Sequence, residues 1–284
     1  MMLQVVSAVL ASLFFNLSPV LQSIDARASS SSLSFRPALI VHLVCRPVWL
    51  LGTCLGAAAV GLEMFSLTTL PLGFVQPLLA GGILVIPLAS ALLLDEPPAS
   101  PWFAGSGMII VGVLILGTAL PQATGGGHHM NELLLLLLAA LAVSIYFLLR
   151  DVRSPGLLAA VAGCALGADA VFLKTLSVSF GPRQILALVP VLAAFAAIGF
   201  LAEMSALQQR SATGVVPTVL ALTTVIPVFV GHVALGEVWP RPGLTLLGFA
   251  LTLLPALWIA AHFAFESPGH VPPGGAMRRP MAEA

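Results

Sequence analysis

The chain has 284 residues, of which 59% are hydrophobic and only 8% are Asp, Glu, Lys or Arg, where a soluble domain carries about 25% charge. Its formal charge is zero, and it holds 26 glycines, 22 prolines and 3 cysteines. These figures exclude a soluble globular enzyme, a disordered chain, a collagen-like repeat and a disulfide scaffold, and they offer no basic face to nucleic acid. A multi-spanning membrane protein remains.

A helix needs about 20 mainly apolar residues to cross the hydrocarbon. The pattern predicts nine such spans, at 2–22, 48–69, 71–94, 101–120, 131–149, 155–179, 184–208, 212–236 and 243–264. The runs are too long for strands and do not alternate, and backbone in lipid must satisfy its own hydrogen bonds, so the fold class is all-α, a polytopic membrane helical bundle. The first span could be a secretory signal peptide ending near Ala26-Arg27-Ala28, but it has no basic leading region, is long for one, and holds Asn16 and Pro19 within it. Residues 23–47 are polar, then apolar for about a dozen residues, too few to span; they are expected to lie along the interface with His42 and Arg46 on one face. Trp49, Trp102 and Trp239 fall at span ends and are expected among the lipid headgroups. With nine spans, eight of the eleven basic residues lie on one side, which predicts an outside N-terminus and a cytoplasmic C-terminus.

Sliding the chain on itself by 140 residues aligns 63–96 with 203–236 without a gap. Eight positions are identical, among them Glu63 with Glu203, Pro77 with Pro217 and Pro87 with Pro227. Glu and Pro are costly in membrane helices, so their coincidence is not a by-product of apolar composition. The match implies a first repeat at 1–120 (spans one to four, with the interfacial segment), a connector at 121–152 with span five, a second repeat at 153–264 (spans six to nine) and a disordered cytoplasmic tail at 265–284. Equivalent helices are five spans apart, an odd number, so the repeats are inverted. Inverted repeats with helices interrupted at matching places characterise secondary transporters, whose site lies near the midplane between the halves.

Several stretches resemble the drug/metabolite transporter superfamily with EamA-type repeats. They are Arg46-Pro47-Val48-Trp49-Leu50-Leu51-Gly52 entering span two, Phe74-Val75-Gln76-Pro77-Leu78-Leu79 in span three, and Gly105, Met108, Ile109, Gly112 and Val113 in span four. Asp95-Glu96-Pro97-Pro98 and Leu235-Gly236-Glu237 are similar to the family's acidic span ends. Two-repeat members usually have ten spans, and nine matches a bacterial branch. The resemblance implies an alternating-access carrier of a small solute in a bacterial inner membrane, with substrates across the superfamily ranging over metabolites, drugs and magnesium.

Within the spans, Glu63 and Glu203 are the leading candidates, because a charged group at the bilayer centre costs about 2.5–3.5 kcal/mol on an insertion scale. Each would take up a proton or bind a cationic group as its half opens. Inversion puts them toward opposite faces, as successive stations and not a dyad; the plain alternative is an interfacial glutamate bonded to a neighbour. Asp169 lies nearest the middle of its span, with Asn16 as its rough counterpart, and both would line an inner cavity. Lys174 stands roughly 140° round the helix from Asp169 and is expected to snorkel outward. Gln76 adds an amide beside Pro77.

Pro77, Pro87, Pro217 and Pro227 are the candidate kinks and gates. Pro87 and Pro227 free the carbonyls of Ile83 and Thr223, at matched depth, for a solute or a hinge; a kink that only shapes packing is the alternative. Gly52, Gly56, Gly105, Gly112 and Gly117 suit close helix contact. His128 and His129 lack a ligand cluster, so neither a metal nor a cofactor is expected. No nucleophile, Walker or zinc-protease motif marks an enzyme. The expected partners are a small-molecule solute, protons and the lipid bilayer, for a monomer or homodimer. A divalent-cation carrier of the magnesium type and a non-transporting scaffold are the competing readings.

Overall fold

The computed structural model describes residues 2–70, 72–94, 100–119, 151, 154–178, 182–235 and 241–265, and these are helical with short connections. In chain order the α-helices are α1 (Met2–Arg27), α2 (Pro37–Leu43), α3 (Pro47–Leu67), α4 (Leu72–Ala80), α5 (Val85–Leu94), α6 (Ser100–Ala119), α7 (Pro155–Val178), α8 (Pro182–Gln209), α9 (Ala212–Leu235) and α10 (Pro242–Phe265). Seven spans are long and apolar enough to cross a membrane, α4 and α5 counting as one, and α10 adds a shorter apolar stretch at Pro242–Ala256. Bulky apolar side chains point outward along these helices, among them Leu13, Leu51, Leu92, Leu114, Leu186 and Leu254, which suits a lipid surround. The expected span at 131–149, His128, His129, both acidic span ends, Trp239 and the tail lie outside the described residues.

Helix α1 runs five residues beyond its expected end and stays continuous through Pro19. Its Asp25 then does what the N-cap Arg46 does not: Trp49 N donates to Asp25 Oδ2 at 2.9 Å, meeting one of the open amides that begin α3. Between them the chain makes a short 3-10 turn, then α2, whose Leu39 and Leu43 are buried while Val41 is exposed. Seven residues are too few to span. Phe35 holds a left-handed backbone (φ 53°), unusual for a bulky residue, and is fixed there by complete burial and by its N donating to Ser205 Oγ at 2.7 Å.

The packing is reciprocal. Helix α1 lies against α3 and α4/α5, and α7 lies against α8 and α9. Across the halves, α1 meets α8 as α3 meets α7, while α4 meets α9 and α6 meets α10. Glycines allow the closest approaches. A Cβ on Gly52 would come within 2.9 Å of Gln22, one on Gly112 within 2.8 Å of the Gly248 carbonyl, and one on Gly163 within 2.7 Å of Leu222. Gly56 and Gly105 also face neighbouring helices, but Gly117, expected to do the same, has nothing within 4 Å.

Helix directions follow from contacts at the ends. Lys174, near the end of α7, reaches Leu67 and Leu70 at the end of α3. Ser205 and Gln209, near the end of α8, reach Phe35 and Ser34 at the opposite end. Helix α1 therefore runs toward the Arg46 end of the bundle and α7 toward the Leu67 end, so these two similarly packed helices point in opposite senses.

Two expectations are corrected. Lys174 does not snorkel outward: it is 8% exposed, and Nζ donates to the carbonyls of Leu67 (2.6 Å) and Leu70 (3.0 Å). Carbonyls left open where a helix ends carry partial negative charge, which draws the ammonium inward. Trp49 and Trp102 sit at span ends but inside the protein, 2% and 0% exposed. Their indole N–H groups find internal acceptors, Met204 Sδ at 3.4 Å and the Thr213 carbonyl at 3.0 Å, in place of headgroups.

Candidate functional site

Between α1, α3, α4, α7, α8 and α9 lies a cavity of about 460 Å³. Asn16, Glu63, Gln76, Asp169 and Glu203, the five residues singled out as polar groups misplaced in apolar spans, all line it, and each comes from a different helix. The remaining wall is mainly apolar, with Phe15 and Phe200, and includes no Lys, Arg or His among the described residues. A volume of this order suits a small organic molecule, and a few polar groups on an apolar wall are the usual make-up of such sites.

The two glutamates are not equivalent. Glu63 is four residues from the Leu67 end of α3, roughly 6 Å along the helix, and Glu203 is six residues from Gln209, roughly 9 Å from the Arg46 end. They flank the cavity toward opposite ends. Glu63 is 5% exposed and accepts a 2.6 Å hydrogen bond from Gln76 Nε2. Gln76 is therefore the fixed partner of Glu63, a pairing sequence spacing did not suggest. Glu203 is 7% exposed and has no hydrogen-bond or ion-pair partner among the described residues. Asp169, on α7, stands five residues before Lys174, which reaches the Leu67 end of α3, so it lies toward the same end as Glu63, and its Oδ1 is buried without a hydrogen-bond partner among the described residues.

Asn16 combines two roles. Its Nδ2 donates to the Ser12 carbonyl (2.7 Å) and to the Leu79 carbonyl (3.1 Å), while Oδ1 is buried with no donor. Ser12 Oγ also donates to the Leu79 carbonyl, at 2.8 Å. Leu79 precedes the 3-10 turn Gly81–Leu84 that divides α4 from α5, so α1 supplies the donors that the broken helix lacks. Gly82 makes this possible, since a Cβ there would lie 2.5 Å from Ser12 Oγ and 2.6 Å from Asn16 Nδ2.

The four prolines are placed differently in the two halves. The interruption falls between Pro77 and Pro87 in the first half, whereas Pro217 and Pro227 lie inside the unbroken α9. None of the four lines the cavity; Pro19 of α1 does. Of the two carbonyl positions thought to be freed at matched depth, Thr223 reaches the cavity and Ile83 is fully buried in the core. Side chain packing around each helix, which spacing does not record, decides which backbone faces the space.

Ser18, Gln22 and Thr53 also line the cavity and were not singled out from sequence. Gln22 Nε2 donates to Thr53 Oγ1 at 3.2 Å and Ser18 Oγ to the Gly52 carbonyl at 2.8 Å. The available signal was the spacing of four shared by Ser18 and Gln22 on one helix and Gly52 and Gly56 on the other, which sets small residues against polar ones along a seam. No family model, curated protein or solved structure matches this chain.

Proposed function

We propose that this protein is an integral membrane secondary transporter of the drug/metabolite, EamA-like type, which moves a small solute by alternating access between two inverted repeats. The observation that carries the reading is the convergence of Asn16, Glu63, Gln76, Asp169 and Glu203 on one cavity inside a bundle of apolar helices. Polar and ionisable groups are expensive at that depth and face water-filled or solute-filled space where they occur. The reciprocal packing of the halves and the opposite senses of α1 and α7 support the inverted repeat.

In this reading the halves rock about the cavity. One end is fastened by Lys174 holding the end of α3, and the other by Phe35 and Trp49 meeting Ser205 and Met204. Glu63 and Glu203, near opposite ends, would exchange protons or a cationic group with the side to which each opens. The protein would reside in a bacterial inner membrane, N-terminus outside. Among the described residues no group of three or more His, Cys, Asp or Glu is set to hold a metal ion. The reading therefore takes the carboxylates as contacts for an organic solute in preference to a magnesium-type cation. A scaffold would have no use for the cavity's polar lining.

Flux into proteoliposomes tests it, with radiolabelled amines, amino acids, sugars and carboxylates and with or without a pH gradient. Transport of at least one class is expected, with Glu63→Gln, Asp169→Asn and Glu203→Gln each reducing it about tenfold or more, the scale of one charged hydrogen bond. No flux for any class, or wild-type flux in all three variants, would overturn the proposal. Labelling of Ser30→Cys from outside would overturn the orientation.

A further inference from the structure

We infer that the solute taken by this cavity is a protonated organic amine, with an N–H-bearing cationic head and an apolar body. The inference rests on the cavity being a solute site and deepens that reading by naming the class. Three observations carry it. First, among the described residues the wall includes three carboxylates, Glu63, Asp169 and Glu203, and no Lys, Arg or His. Such a wall disfavours an anion, and a cation is the solute that compensates an ionised carboxylate in a low-dielectric space, where beside a neutral solute the carboxyl takes up a proton instead. Second, hydrogen-bonding capacity is unequally used. Glu63 is held by Gln76, whereas Glu203, more than nine-tenths buried, has no partner among the described residues. Asp169 Oδ1 and Asn16 Oδ1 are likewise buried without a donor. The donors in the lining are engaged, Ser18, Thr53, Thr223 and Thr224 on backbone carbonyls and Gln22 and Gln76 on side chains, and a primary or secondary ammonium supplies both charge and free N–H groups, where a quaternary ammonium supplies charge alone. Third, the rest of the wall is apolar and carries the rings of Phe15 and Phe200, which suit a hydrocarbon or aromatic body and favour a nearby cation.

The observations assign the ammonium head to Glu203, toward the Arg46 end, with Glu63, Gln76 and Asp169 toward the Leu67 end. A bare metal cation fits poorly, since the described residues hold no group of three or more ligating side chains.

The test is equilibrium binding of radiolabelled 2-phenylethylamine to the full-length protein in lipid nanodiscs at neutral pH. Competitors are its N,N,N-trimethyl analogue, 2-phenylethanol and 3-phenylpropionate. Saturable binding is expected, with the trimethyl compound competing at least about tenfold more weakly than unlabelled amine and the alcohol and carboxylate not competing. Glu203→Gln, a near-isosteric change checked for a wild-type elution profile, should weaken binding about tenfold or more. The inference is overturned by the absence of saturable binding, by equal competition from the trimethyl compound, the alcohol or the carboxylate, or by affinity within about twofold of wild type in Glu203→Gln. Proteoliposome flux separates this from the transport reading. Amine binding without flux of any solute would sink transport and leave the amine site standing, whereas flux of another class without amine binding would do the reverse.

Discussion

The two halves of the bundle meet the same problem with different solutions. Span three of the first half and α9 of the second carry prolines ten residues apart, Pro77 and Pro87 against Pro217 and Pro227. Yet the first is divided into α4, a 3-10 turn and α5, while the second is one continuous helix. The residues between the prolines differ: Gly81 and Gly82 in one half stand where Ala221 and Leu222 stand in the other. The packing neighbour differs too. In the first half α1 offers donors, Ser12 Oγ and Asn16 Nδ2, to the Leu79 carbonyl. At the corresponding place α7 offers Asp169, which when ionised can only accept. In the second half the glycines sit on α7, where Gly163 and Gly167 admit the side chains of the intact α9. Proline spacing thus permits an interruption, and a donor on the neighbouring helix with room to reach it makes one.

That contrast can be broken most severely at Gly82. In Gly82→Leu the Cβ would meet Ser12 and Asn16 within 2.6 Å and the Ser12 carbonyl at 2.8 Å, forcing α1 off the turn. A loss on the order of 3 kcal/mol is expected, read by denaturant unfolding in mild detergent. A result within experimental error of wild type would mean that α1 does not hold the break together.

Removing the contact between the halves is expected to cost somewhat less. Lys174→Met leaves the Leu67 and Leu70 carbonyls without their ammonium, and stability should fall by roughly 1–3 kcal/mol. Hydrogen exchange at residues 66–70 should rise at the same time. Unchanged exchange there would argue that the lysine contributes nothing to closing that end.

Converting the first half's chemistry to the second's is a finer probe. Asn16→Asp replaces a donor by an acceptor and loses the 3.1 Å bond to Leu79 while Ser12 keeps its own. About 1–2 kcal/mol of stability should go, with greater proteolytic cutting at Gly81–Leu84. Protection equal to wild type would show that Ser12 alone suffices.

The smallest change has the opposite sign. At Gly117 nothing lies within 4 Å of a Cβ, so Gly117→Ala should stabilise α6 by up to about 1 kcal/mol. Gly112→Ala on the same helix should destabilise it, because the Gly248 carbonyl is 2.8 Å away. Equal thermal midpoints for the two variants would remove the distinction between the two glycines.

Much of the site was legible because lipid makes polarity conspicuous. Asn16, Glu63, Gln76, Asp169 and Glu203 stand out in apolar runs for the energetic reason that brings them to a cavity. Ser18 and Thr53 did not stand out, since hydroxyls can bond within their own helix and so occur at little cost almost anywhere, as Thr53 Oγ1 does to the Trp49 carbonyl. Lys174 was misjudged because its anchor is the open end of α3, distant in sequence and invisible until α7 packs against it. Trp49 and Trp102 were misjudged in the same way: a ring at a span end has room to face lipid or a neighbouring helix, and composition does not separate the two.

The sequence by itself determined the helices, because the hydrocarbon thickness sets their length and the absence of water in the bilayer leaves the backbone little alternative. It also determined which side chains could not be left in lipid. Which end of which helix meets Lys174, which carbonyl Asn16 reaches, and which glutamate keeps a partner while the other has none among the described residues were decided by tertiary packing alone. Those choices depend on distances of a few ångströms between residues more than a dozen positions apart. The 8% of charged residues say that a membrane surrounds this protein; their arrangement within the fold shows where charge faces a cavity.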